Sequence, residues 1–122
     1  MKTKIFLLAL SLFFISFGCK KLNPKKELRI DLGTHFNNDL VTIKLDDKIT
    51  FSDSVSTNAI LSVAKILTYN YPVGKTKISV TVNGVEKTSN FKHQKDRFIY
   101  ISYDKETSDI NIVYPANKYI YD

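Results

Sequence analysis

The chain has 122 residues, of which 43% are hydrophobic, with one cysteine, no tryptophan and a formal net charge of +6. That length suits one domain of ordinary size and excludes two, and a lone cysteine excludes an internal disulfide. Beyond the first part of the chain the bases are scattered singly among acids, so no basic stripe points to nucleic acid as a partner.

Lys2 and Lys4 precede an uncharged run, Ile5 to Phe17, that exits through Gly18-Cys19-Lys20. A basic start, an apolar middle and a small-residue exit form the pattern of a secretory signal. As a helix, the uncharged stretch from Ile5 to Cys19 covers only about 22 Å, short of the roughly 30 Å hydrocarbon core that a permanent span must cross. Residues 1–18 are therefore expected to be a helical signal peptide. The exit, Gly18-Cys19, resembles the lipobox of bacterial lipoproteins, in which a small residue precedes a cysteine that is diacylated on sulfur and becomes the mature amino terminus. The resemblance implies palmitate on Cys19, a membrane partner through that lipid, and a place in the bacterial cell envelope, on the periplasmic side or at the cell surface. Ser16-Phe17-Gly18 also meets the small-x-small rule of an ordinary signal peptidase, which leaves a secreted, soluble product as the alternative. The cysteine count favours lipidation, because a soluble exported product would carry a free thiol into an oxidising compartment.

Residues 19–26 read as a lipidated basic tether, with Lys20, Lys21, Lys25 and Lys26 around Asn23-Pro24 and Arg29 just beyond. A solvated linker is the plain reading. The functional one is attraction to anionic headgroups, about 1 kcal/mol per base near such a surface. Residues 27–122 are then one domain. Leu28, Ile30 and Leu32 alternate with Arg29 and Asp31, the period of a half-buried strand. Gly33 to Asp39 is a polar loop. Val41, Ile43 and Leu45 alternate with Thr42 and Lys44, and Asp46-Asp47 turns the chain into Lys48 to Phe51, a hairpin. Ser52 to Asn58 is loop-like by composition. Ala59 to Tyr71 fits two patterns. Leu61, Val63, Leu67, Tyr69 and Tyr71 fall on one strand face, whereas Ile60, Val63, Ala64 and Leu67 fall at helical spacing behind a capping Asn58. The β-forming run Thr68 to Tyr71 favours the strand, with a short helix within 58–67 as the alternative.

From Gly74 onward, Ile78, Val80 and Val82 alternate with polar residues, and Asn83-Gly84 predicts a type I′ turn returning through Val85 to Phe91. Lys92 to Asp96 reads as a charged loop. Arg97 to Tyr103 is apolar on both faces, as in a strand covered on both sides. Asp104 to Ser108 turns into a strand carrying Ile110, Ile112 and Tyr114, and Pro115-Ala116-Asn117 leads to Tyr119-Ile120-Tyr121. Short strands at this spacing predict an all-β fold, a small antiparallel β-sandwich, immunoglobulin-like or jelly-roll-like, of about seven to eight strands. The stretch Pro72 to Val80, beginning Pro-Val-Gly, resembles the Pro-x-Gly strand start of bacterial immunoglobulin-like and surface-lipoprotein modules. That resemblance implies a binding or spacing role.

No constellation for catalysis stands out. His35 and His93, the only histidines, read as surface loop residues, and no close ligand pair marks a metal site. No serine sits in a nucleophile elbow or a Ser-x-x-Lys arrangement. Asp46, Asp47 and Asp53, and then Asp104, Glu106 and Asp109, crowd two turns where either set could offer oxygens to Ca²⁺, although neither follows a calcium-loop pattern. Tyr69, Tyr71, Tyr100 and Tyr103 are the candidate ligand-binding residues, able to stack on sugars or form a protein interface if they share an exposed face. The expected function is a lipid-anchored, non-catalytic binding or assembly module of the cell envelope, with no cofactor, and with an envelope protein or glycan as partner. The alternative is a periplasmic inhibitor or immunity-type lipoprotein blocking an incoming enzyme or toxin, for which mild positive charge argues against basic targets such as lysozyme.

Overall fold

The computed structural model describes residues 24–121; the signal segment, Cys19 and Lys20-Lys21 lie outside the described residues. Eight strands follow in chain order: β1 (Lys25–Leu32), β2 (Asp39–Leu45), β3 (Lys48–Val55), β4 (Lys65–Pro72), β5 (Gly74–Val82), β6 (Val85–His93), β7 (Arg97–Asp104) and β8 (Asp109–Val113). They form two four-stranded sheets, β4-β1-β7-β8 and β3-β2-β5-β6. The described residues are all-β, a two-sheet sandwich. Its neighbours pair antiparallel except for β1 and β7, which run parallel with Ile30 opposite Ile99 and Leu32 opposite Ile101. A parallel pair needs a long crossover connection, and here the chain supplies one by building the whole second sheet between β1 and β7.

Strand alternation produces the core. Leu28, Ile30 and Leu32 from β1, with Ile99 and Ile101 from β7, are fully or almost fully enclosed. Across the sandwich, Val41, Ile43, Leu45, Ile78, Val80 and Val82 are equally buried. Each such side chain contributes about 1.5–3 kcal/mol by leaving water. Two tight turns set the registers of the second sheet. Asn83 and Gly84 take φ of 49° and 87°, and Asp46 and Asp47 take 50° and 68°, the consecutive positive φ values of a type I′ hairpin turn.

Several boundaries differ from expectation. β1 begins at Lys25, because Lys25 and Lys26 pair with Pro72 and Tyr71 of β4; two residues read as tether are strand. β3 runs on through Ser52, Asp53 and Ser54, polar residues of an edge strand whose ladder to β2 is reinforced by Thr42 Oγ1 and Ser52 Oγ at 3.0 Å. The expected strand over 59–71 exists only from Lys65. Asn58 does cap, its Oδ1 accepting from Ile60 N at 2.9 Å and Leu61 N at 3.0 Å, yet the cap closes a single turn and no helix follows. Polar loop expectation also failed at Lys92-His93, which extend β6.

The two ends of the sandwich are distinct. At one end the chain leaves β4 through Val73, whose N–H donates to Pro24 O at 2.9 Å, and Gly74 lies opposite His93. The far end gathers the β1–β2 loop, the β5–β6 turn and the β7–β8 turn, joined by Asn83 N to Leu40 O at 3.0 Å and Lys105 Nζ to Asn37 O at 3.1 Å. Beyond β8 the chain returns over the outer face of the first sheet, where Tyr119 meets Tyr100 edge-on at 5.1 Å. Gly33 makes room for that arrangement, since a Cβ there would fall 2.1 Å from the Tyr100 ring.

Candidate functional site

The far end carries a cleft between two loops, and its frame starts with Asp39. This first residue of β2 is 3% exposed. Its carboxylate accepts from Asn37 N at 2.9 Å and Asn83 Nδ2 at 2.8 Å, and Lys105 Nζ lies 3.4 Å away. Burial pushes the Asp39 carboxyl up, but the Asn37 and Asn83 hydrogen bonds and the Lys105 charge outweigh it and hold the group below the usual carboxylate range. One buried carboxylate thereby fastens the β1–β2 loop, the β5–β6 turn and the β7–β8 turn together.

Thr57 holds the same loop from the other side, donating to Gly33 O at 2.7 Å and accepting from Phe36 N at 3.0 Å. Asn38 N adds a bond to Ser56 Oγ at 2.8 Å. So fastened, the loop turns through left-handed backbone at His35 (φ 73°) and Asn38 (φ 53°), residue types that tolerate that region. Phe36 is turned inward and stacks on Tyr103 at 6.1 Å. What remains between the loop and the β7–β8 turn is a cleft of about 650 Å³ floored by Phe36 and Tyr103 and rimmed by His35, Asn37, Ser102, Asp104, Glu106 and Asn111. That volume lies within the range of small-ligand sites. The rim offers carboxylates, amides and an imidazole over an aromatic floor, a set that can hydrogen-bond a polar or cationic group. Among the described residues no three of the His, Cys, Asp and Glu side chains gather closely enough to hold a metal ion.

The four candidate tyrosines are not brought together. Tyr69 and Tyr71 lie half-buried on the inner face of β4 and bridge the sheets, Tyr69 OH donating to Thr50 O at 3.3 Å and Tyr71 OH to Asp46 Oδ2 at 2.5 Å. Burial first, and then Asp46, raise the Tyr71 hydroxyl well above its ordinary value. Tyr103 is buried in the core and forms the cleft floor, while Tyr100 faces the opposite side of its sheet under Tyr119. Carboxylates of both Asp-rich groups are taken up by backbone N–H groups. Asp104 Oδ1 accepts from Glu106 N at 3.0 Å, Asp46 Oδ1 from Lys77 N at 2.9 Å, and Asp53 Oδ1 from Ser54 N at 2.8 Å.

Of the histidines, His35 is exposed as expected. His93 corrects the reading: it is fully buried, its Nε2 3.1 Å from both Lys26 O and Tyr71 O. That placement ties the end of β6 to the β1–β4 pair. The cleft itself escaped sequence reading because Asn37 and Lys105 stand 68 residues apart and only the parallel β1–β7 pairing brings their loops together. Asp39 carried the available signal, an acidic residue in phase with Val41, Ile43 and Leu45 on the buried face of β2, where a hydrophobic residue would be expected.

Asp39→Asn should therefore lower stability by about 1.5–3 kcal/mol at neutral pH, the range for hydrogen bonds to a charged group. A carboxyl depressed in the folded state contributes stability that is present above its unfolded value, about 3.9, and lost as pH falls through the folded value. Urea midpoints measured from about pH 6 down to about pH 2 should show a shallower acid limb in Asp39→Asn than in the parent; parallel limbs would remove Asp39 from this role.

No family model matches the chain, and no curated protein matches it. Among solved structures, the chain is similar to a protein from Eubacterium rectale determined by NMR, with 16% sequence identity over 78% of this chain and 92% of that one and a TM-score of 0.47.

Proposed function

We propose that this protein is a lipid-anchored, non-catalytic binding module of the bacterial cell envelope, held by acyl chains on Cys19 and presenting the far-end cleft. The observation that carries the reading is the direction of β1. It starts at Lys25, close in sequence to Cys19, and ends at Leu32, directly before the cleft loop. At about 3.3 Å per residue its 8 residues span about 26 Å, whereas the segment from Cys19 to Pro24 reaches at most about 22 Å. A lipid on Cys19 thus keeps one end of the sandwich near the membrane and sets the cleft about a domain's length away, open to envelope partners. The rim chemistry selects a polar or cationic group on a protein or glycan.

Radiolabelled palmitate is expected to enter the parent protein and to be lost in Cys19→Ala, with the variant released from the membrane fraction. An unlabelled parent found in the soluble fraction would sink the anchored reading and leave the secreted form. For the cleft, Glu106→Lys should abolish capture of whatever partner the parent retains from solubilised envelope; unchanged capture would move binding elsewhere on the domain.

A further inference from the structure

The charges of the domain are sorted along its long axis, and from this we infer that the Pro24 end is a docking surface for anionic phospholipid headgroups. The inference rests on the lipid-anchored reading and adds an orientation to it: the domain sits on its own membrane by this end. Lys25 and Lys26 open β1, Lys75 lies at the start of β5, Lys92 near the end of β6, and Lys95 in the loop that follows. Three separate stretches of chain thus deliver exposed ammonium groups to one end.

Of the acids there, Asp47 pairs with Lys77 at 2.7 Å, Asp96 Oδ1 accepts from Glu27 N at 3.0 Å, and Asp46 binds Tyr71 and the Lys77 backbone. Glu27 follows Lys26 on β1, so the five lysines outnumber the three acids left without an ion pair among the described residues. Among the described residues the ion pairs are those of Arg29, Lys77 and Lys105, so none of the five lysines has an acidic partner within that set. At the far end the balance reverses, with Asp104, Glu106 and Asp109 exposed around Lys105, which is tied to Asp39.

Lys75 and Lys92 stand directly opposite each other across the β5–β6 pair. Like charges in that position destabilise a sheet, and here they flank a shallow recess of about 420 Å³ lined by Lys75, Asn90, Phe91 and Lys92. A lipid phosphate between the two ammonium groups converts the repulsion into attraction. The choice of a membrane as the occupant follows from where the chain leaves the domain, at Pro24, towards Cys19. Each base held near an anionic bilayer improves partition about fivefold.

The test uses the full acylated chain in vesicles of phosphatidylethanolamine with phosphatidylglycerol, or of phosphatidylcholine alone. A fluorophore is attached through Gln94→Cys at the Pro24 end or through Asn111→Cys at the cleft, and a quencher is carried on the headgroups. On the anionic vesicles the Gln94 probe should be quenched and the Asn111 probe should not, and the difference should fade in phosphatidylcholine and at high salt. Lys75→Gln with Lys92→Gln should shift the docked-to-free ratio about 25-fold towards free, with palmitate incorporation unchanged and the thermal midpoint no lower than the parent's. Equal quenching on both vesicle types, or a double variant that docks like the parent, overturns the surface while leaving the anchor standing. If instead no palmitate enters, the anchor fails by itself. In that case salt-reversible binding of the unacylated chain to phosphatidylglycerol vesicles, lost in the double variant, supports the surface, and its absence overturns it.

Discussion

Ile30→Ala should lower the unfolding free energy by about 3–5 kcal/mol, the upper part of the range for truncating a buried isoleucine. The setting explains the size. Ile30 is fully buried in β1, with Leu67 of β4 on one side and Ile99 of β7 on the other. Ladder partners on both sides hold the strand in place, so the cavity has little freedom to collapse, and the cavity term adds to the lost transfer energy. A domain of this size holds about 5–15 kcal/mol in total, so the variant would stand near the edge of folding at physiological temperature. Ile30→Val, which removes one methyl group, should cost only about 0.5–1.5 kcal/mol. Urea titrations should show both variants with the parent slope and lowered midpoints, since the surface exposed on unfolding is unchanged. A cost under about 0.5 kcal/mol for Ile30→Ala, the level of an ordinary surface change, would refute β1 as the central, doubly paired strand. The consequence reaches function, because β1 is the bar between the Pro24 end and the cleft, and loosening it loosens the position of one relative to the other.

How much of this was legible in the sequence depended on whether the determining contacts were local. The β5–β6 hairpin could be read from Asn83-Gly84 and the alternation of Ile78, Val80 and Val82, because turn geometry and pleat act over a few residues. The two-sided burial of β7 was equally legible from Phe98 to Tyr103. By contrast, Ser52 to Ser54 look like loop residues and become strand only because β2 lies alongside to accept their ladder, a tertiary override of weak local preference. His93 was misread for a related reason. Its neighbours Lys92, Gln94 and Lys95 are exposed, and only the meeting of β6 with β1 and β4 encloses the ring. The parallel β1–β7 pair, and with it the cleft, depends on long-range topology that no short pattern encodes. The candidate tyrosines were dispersed by the same alternation that predicted their strands, since Tyr100 and Tyr103 are an odd number of residues apart on β7 and must face opposite ways.

Asp31→Ala should release the C-terminal segment from the outer sheet face and cost about 3 kcal/mol. Asp31 is 4% exposed and holds Arg29 with two bonds, Nε to Oδ1 at 2.8 Å and Nη2 to Oδ2 at 3.2 Å. The same Oδ2 accepts from Tyr121 OH at 2.7 Å, and Arg29 Nη2 also donates to Tyr119 O at 3.0 Å. Arg29 thus grips the tail backbone while Asp31 grips its side chain. Its guanidinium, raised above its ordinary pKa by the Asp31 hydrogen bond despite burial, remains charged in either variant. Removing Asp31 leaves that charge with one carbonyl partner and only 14% side-chain exposure. Stripping one partner from a buried pair costs about 3–5 kcal/mol, and the residual exposure of Arg29 places this site at the low end. Tyr121→Phe removes a single hydrogen bond to the carboxylate and should cost about 1.5 kcal/mol. In the double variant the two losses should fall short of additive, because Tyr121 acts through Asp31. The Tyr121 hydroxyl is raised above its ordinary value by burial first and then by Asp31. Its contribution is therefore whole below about pH 10, the unfolded value, and lost as pH rises through the higher folded one. Tyr121→Phe should flatten part of the alkaline limb, leaving the part that belongs to Tyr71. Tryptic cleavage after the exposed Lys118 reads tail release directly, and it should accelerate in Asp31→Ala more than in Tyr121→Phe. Cleavage as slow in Asp31→Ala as in the parent would show that the tail is held by the Tyr100–Tyr119 ring contact instead, a pairing worth about 0.5–1.5 kcal/mol beyond its buried area.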